Sequence, residues 1–147
     1  MAKKEYTYRI TDEVKKGSKE NLFNTIAHSI YDFLKENKLI MHKELKCAFI
    51  FGFPVKRENI ESGKLVKWTK GFQIHGAEDY DPKKLLRDAI ARKGGMNINI
   101  VAFINQSTSL LYSGIRKNPK CKVGLIFGTE INASYMENVK EVFSLST

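Results

Sequence analysis

Ile98-Asn99-Ile100-Val101-Ala102-Phe103-Ile104-Asn105-Gln106-Ser107 is the stretch on which the fold turns. Seven almost wholly apolar residues rich in β-branched side chains, too few for a buried helix, read as a strand over 98–104. The polar pair Asn105-Gln106 closes it, and Ser107 to Ser113 opens a short helix. Upstream, Asp81-Pro82 supplies an N-cap and a first-turn proline for a helix that ends near Gly94-Gly95. Cys47 to Phe53, closed by Pro54, is a second apolar run and is expected to be a strand buried on both faces. Residues 55–70 are polar until Gly63, and Lys64 to Trp68 then alternates, so the segment reads as an antiparallel hairpin. Further out, Leu22, Phe23, Ile26, Ile30, Phe33 and Leu34 recur at spacings of three and four, marking an amphipathic helix over 21–37 with Ser18 as N-cap. Downstream, Lys122 to Phe127 is a third strand, and Gly128-Thr129 begins a turn before Ala133 to Met136. Strands separated by helices define an α/β layer arrangement, in which ligands sit beyond the C-terminal ends of strands. Asn105-Gln106 and Gly128-Thr129 both occupy such ends.

Length and composition narrow the classes. The 147 residues suit one domain, 1–147, with no repeat or linker dividing it, and need no disulfide or metal to fold. No apolar run nears the ~20 residues of a membrane span, and the N-terminus lacks the apolar stretch of a secretory signal, so a cytoplasmic protein with no membrane partner is expected. Cys47 and Cys121 lie apart in strand-like segments and read as reduced thiols, and the three histidines have no second ligand at metal spacing, so neither metal nor cofactor is expected. The balance of 25 basic and 16 acidic residues gives +9. That excess is spread along the chain, but Lys56, Arg57, Lys64, Lys67 and Lys70 form one local group, and Arg116, Lys117, Lys120 and Lys122 form another with no acid between them. Such groups are either solvated faces or phosphate contacts.

From about Val14 to Glu137 the sequence resembles the smaller lobe of eukaryotic hexokinases. The residues that carry the likeness are Gly17-Ser18 with Leu22-Phe23, Phe51-Gly52-Phe53-Pro54, Trp68-Thr69-Lys70-Gly71-Phe72, Asp88-Ala89-Ile90 with Arg92, Ile100-Val101-Ala102 leading into Asn105, and Gly124-Leu125-Ile126 through Gly128-Thr129 to Asn132-Ala133-Ser134-Tyr135-Met136-Glu137. The resemblance implies one lobe of the actin-like, ribonuclease H-like ATPase fold, a mixed sheet flanked by helices. It also places the family's sugar-binding groups on Thr69, Lys70, Asn105 and Asn132. An alternative use for the two asparagines is to satisfy turns.

Departures from the family pattern set the functional expectation. Gln106 stands where the family has the aspartate that takes the proton from the attacking sugar hydroxyl, and an amide is not basic enough for that, which removes a contribution of roughly 10²–10⁴ in rate. Gly52 replaces a serine that contacts sugar, Arg57 replaces a glutamine after the proline, and Glu130 fills a glycine position of the Gly-Thr-Gly turn. No Asp-x-Gly-Gly-Thr-Asn phosphate loop precedes Val14, and the second lobe with the adenosine site would lie beyond Thr147. The expectation is therefore a truncated, degenerate and catalytically inactive remnant, not an enzyme, repurposed as a basic module for structured RNA or a ribonucleoprotein such as the ribosome. Lys56, Arg57, Lys64, Lys67, Arg116, Lys117, Lys120 and Lys122 would be the phosphate contacts, with Trp68 either a stacking partner or, more commonly for tryptophan, a packed aromatic. The alternative is a regulatory or partner subunit that keeps weak hexose affinity through Thr69, Lys70, Asn105 and Asn132. An uncovered lobe face would also recruit a protein partner.

Overall fold

A computed structural model describes residues 3–40, 43–59, 62–128, 130–138 and 140. The chain divides into two compact units, one ending at Phe103 and the other beginning at Ile104.

The first unit is built around α2 (Lys19–Glu36), preceded by the single turn α1 (Asp12–Lys15). Ser18 caps α2 as its spacing predicts, its hydroxyl accepting from the Asn21 amide at 3.2 Å. The same end is zipped to residues 73–75, where Gln73 N–H donates to the Lys15 carbonyl and His75 N–H to the Gly17 carbonyl. Helix α3 (Pro82–Lys93) starts at Asp81, whose carboxylate accepts from the Lys83 amide at 2.8 Å, and stops at Gly94, where φ is +66°. A left-handed φ of this kind is cheap only without a Cβ, which is why a glycine ends the helix. Arg92 of α3 donates twice to the Asn24 side chain of α2, and Lys93 lies 3.8 Å from the centre of the Tyr31 ring, so the two helices are tied as well as packed.

Strands β1 (Leu45–Ile50) and β4 (Ile98–Ile104) are hydrogen-bonded neighbours, and β2 (Val55–Arg57) and β3 (Gly63–Leu65) form the expected antiparallel hairpin, with Lys56 opposite Lys64. Phe49, Ile100 and Phe103 join Leu22, Phe23 and Ala27 of α2 and Leu86, Ala89 and Ile90 of α3 in one core. Phe23 is 1% exposed, and burial on this scale contributes about 1.5–3 kcal/mol per large side chain.

The expectation of a strand buried on both faces fails for β1. Burial alternates along it, with Lys46, Ala48 and Ile50 exposed, because the helices cover one face only. An apolar run shows that a strand is apolar on both sides but does not count the layers that cover it.

The second unit comprises α4 (Gln106–Lys117) and the antiparallel ribbon of β5 (Val123–Phe127) and β6 (Ile131–Tyr135). Helix α4 packs on one face of the ribbon. A Cβ on Gly124 would lie 3.0–3.1 Å from Leu111 N, Cα and Cβ, so only glycine lets the helix backbone sit so close to β5. The Ser134 hydroxyl of β6 donates to the Ser107 carbonyl at 2.8 Å and ties the other strand to the helix.

Candidate functional site

The sequence-predicted residues fall in both units. In the first, Thr69-Lys70-Gly71-Phe72 forms a tight turn closed by Phe72 N–H donating to the Thr69 carbonyl at 3.1 Å. Both central residues have positive φ, +59° at Lys70 and +79° at Gly71, the pattern of a type I′ turn. Glycine adopts it freely and lysine does not, so Lys70 is held in a sparsely populated conformation. Its ammonium group donates to the Gly52 carbonyl at 3.1 Å, which ties the turn to the end of the segment after β1.

Beneath the turn lies an aromatic cluster. Trp68 packs edge-on against Phe53 and Phe51 and stacks on Phe72, with centroid separations of 4.7, 6.1 and 5.8 Å. The tryptophan face is thereby taken up by neighbouring rings, which favours the packed-aromatic reading of this residue over base stacking. Two polar atoms are stranded here. Trp68 Nε1 and Thr69 Oγ1 are buried with no hydrogen-bond partner among the described residues. An unpaired buried hydroxyl or N–H costs about 1–3 kcal/mol, so the pair marks a place where an added polar ligand or water would be stabilising.

In the second unit, Asn105 is the N-cap of α4. Its Oδ1 accepts from Ser107 N–H and from the Ser107 hydroxyl, both at 2.9 Å. The turn-satisfying use of this asparagine is therefore occupied, leaving the amide Nδ2 as the group free for a hydroxyl acceptor. Gln106 is the first residue of α4, one position ahead of the expected helix start, and its side chain is exposed. Asn132 sits on β6 opposite Ile126 and is exposed, so it serves a strand and not a turn. Thr129 of the expected turn lies outside the described residues.

The basic groups divide likewise. Lys56, Arg57, Lys64 and Lys67 lie on or just after the β2–β3 hairpin and are exposed; Lys64 pairs with Glu58 at 3.1 Å, and the Arg57 guanidinium lies 4.6 Å from the Phe103 ring centre. Arg116 and Lys117 end α4, and Lys120 and Lys122 follow before β5, all four exposed. Among the described residues, none of these four has a carboxylate within ion-pair distance.

Sequence reasoning missed one cavity. Residues 6–10 run along the outer side of α2, the Tyr6 ring meeting Phe33 edge-on at 5.1 Å, and enclose an apolar cleft of about 370 Å³ with Ile26 and Ile30. Tyr6 and Tyr8, separated by one residue ahead of Ile10, were its only signal. Cys47 and Cys121 are free and partly buried, and burial pushes the Cys47 thiol up from its ordinary range. Among the described residues there is no group of three His, Cys, Asp or Glu side chains placed to hold a metal, and no helix long and apolar enough to cross a membrane.

The mixed α/β arrangement of these helices and strands is that of one lobe of the actin-like ATPase fold. The chain matches the family model described as Hexokinase over residues 1–115. It is 39% identical to hexokinase-3 of Rattus norvegicus over 138 residues and 37% identical to hexokinase-3 of Homo sapiens over 135, covering 94% and 92% of this chain. The chain spans about 15% of the length of those relatives. Among solved structures, hexokinase from Schistosoma mansoni complexed with glucose superposes with a TM-score of 0.90 at 35% identity, over 98% of this chain and 32% of that one. This chain belongs to the hexokinase family.

Proposed function

We propose that this hexokinase-family chain does not phosphorylate sugar and acts as a cytoplasmic basic module that binds structured RNA, alone or within a ribonucleoprotein. The observation that carries the proposal is the corner at the end of α4, where Arg116, Lys117, Lys120 and Lys122 are exposed within seven residues and meet no carboxylate among the described residues. Cations without partners at a surface are favourable sites for phosphate oxygens, and shape with phosphate contact suffices to bind folded RNA. Lys56, with Arg57 beside it, adds a second exposed basic surface on the hairpin, where the facing Lys64 is already paired with Glu58. Loss of phosphotransfer follows from the amide at Gln106, which cannot accept the sugar proton.

Filter binding to a folded RNA hairpin should weaken steeply with salt. Replacing Lys117 and Lys120 by glutamine should lower the slope of log affinity against log salt by about two, one for each lost phosphate contact. Binding that ignores salt, or an unchanged slope in the double variant, would dispose of the proposal.

A second reading, weak hexose binding, is favoured by the stranded Thr69 hydroxyl, which has the chemistry to pair with a sugar hydroxyl. The superposed Schistosoma mansoni enzyme is a glucose complex. Calorimetry with millimolar glucose should give heat that Thr69→Val abolishes; equal and negligible heats for both proteins would remove this reading.

A further inference from the structure

We propose that the bare face of the β5–β6 ribbon is the surface through which two copies of this chain pair. The register sets Val123 opposite Tyr135, Leu125 opposite Ala133 and Phe127 opposite Ile131. All six residues are exposed, Phe127 by 83% and Ile131 by 72%, while the intervening Gly124 lies against Leu111 of α4 on the other side. One face of the ribbon is thus covered within its own unit, and the other carries three alternate rungs of aliphatic and aromatic side chains, the Tyr135 hydroxyl being their one polar group.

Size and shape select the occupant. The six side chains leave on the order of 600 Å² open, the upper end of the ~300–600 Å² found in the largest patch of a typical monomer. Pairing two such faces would bury about 1,200 Å², above the roughly 1,000 Å² that a specific interface needs. Each rung also joins a larger residue to a smaller one, Tyr135 to Val123, Leu125 to Ala133 and Phe127 to Ile131. A two-fold axis parallel to the strands lays every larger side chain on the smaller one of the same rung in the second copy, so the face is complementary to itself as an isologous contact must be. Sheets packed this way lie ~10 Å apart. Because each copy carries +9, added salt should tighten the dimer by screening, the opposite of its effect on RNA binding.

Sedimentation velocity of the 147-residue chain from about 1 to about 100 µM should show a monomer–dimer equilibrium that shifts toward dimer as salt rises. Phe127→Arg should weaken it at least about 30-fold, with Leu125→Lys as a second disruption, each checked for a native circular dichroism spectrum. Tyr112→Arg, at an exposed position of α4, should leave it unchanged. A nitroxide on Ala133→Cys, with Cys47 and Cys121 replaced by serine, should report spin–spin coupling within one dimer. Monomer at every concentration, a dimer indifferent to both folded ribbon variants, or uncoupled spins would overturn the proposal.

Discussion

At the residue scale the two functions of a single turn of helix pull apart. Asn105 spends its oxygen on capping α4, and the next position, Gln106, is an exposed amide. An acid at that first-turn position would interact favourably with the helix N-terminus, by about 0.3–1 kcal/mol. Gln106→Asp is therefore expected to raise the midpoint of thermal unfolding by about 1–4 °C at pH 7. The gain requires the ionised carboxylate, so it should fade as pH falls through about 4. A destabilised variant in calorimetric melts would contradict the placement of residue 106. Asn105→Ala removes the cap and should cost about 1 kcal/mol, whereas Asn105→Asp keeps an accepting oxygen and should not. Sequence alone singled out both positions. It did not show that the asparagine oxygen was already engaged, because capping depends on a backbone direction that only the fold fixes.

Elements were legible where local chemistry marks their ends. Ser18, Asp81-Pro82 and Gly94 bound α2 and α3 through side chains and dihedrals that act within a few residues, and β4 spans 98–104 as its composition predicts. What escaped was set from a distance. Helix α1 is one turn long and leaves no period to read, and the exposed side of β1 reflects how many layers cover it. The ribbon's close approach to α4 was equally hidden, since Gly124 is meaningful only once Leu111 is known to lie above it. Gly124→Ala should push α4 off β5 by a few tenths of an ångström and cost about 1–3 kcal/mol, measured as a lower urea midpoint. A neutral substitution would mean that the helix does not pack there. Gly128→Ala, with open space around its Cβ, is the matched control and should lose far less.

Across the whole molecule, family membership and function separate. The superposition at a TM-score of 0.90 fixes the ancestry, and the chain spans about 15% of the curated relatives it matches. Their activity does not pass to it through likeness alone. The basic corner at Arg116 to Lys122 was visible as a run of charge, but its lack of carboxylate neighbours among the described residues was not, because pairing is decided by the fold. The apolar faces were foreseen only as a class, and their place on β5 and β6 required the register. The proposed loss of phosphotransfer rests on the amide at Gln106, and incubation of the purified chain with ATP and glucose tests it most directly. It predicts glucose 6-phosphate formation no faster than in buffer, and product that accumulates in proportion to the protein added would contradict it.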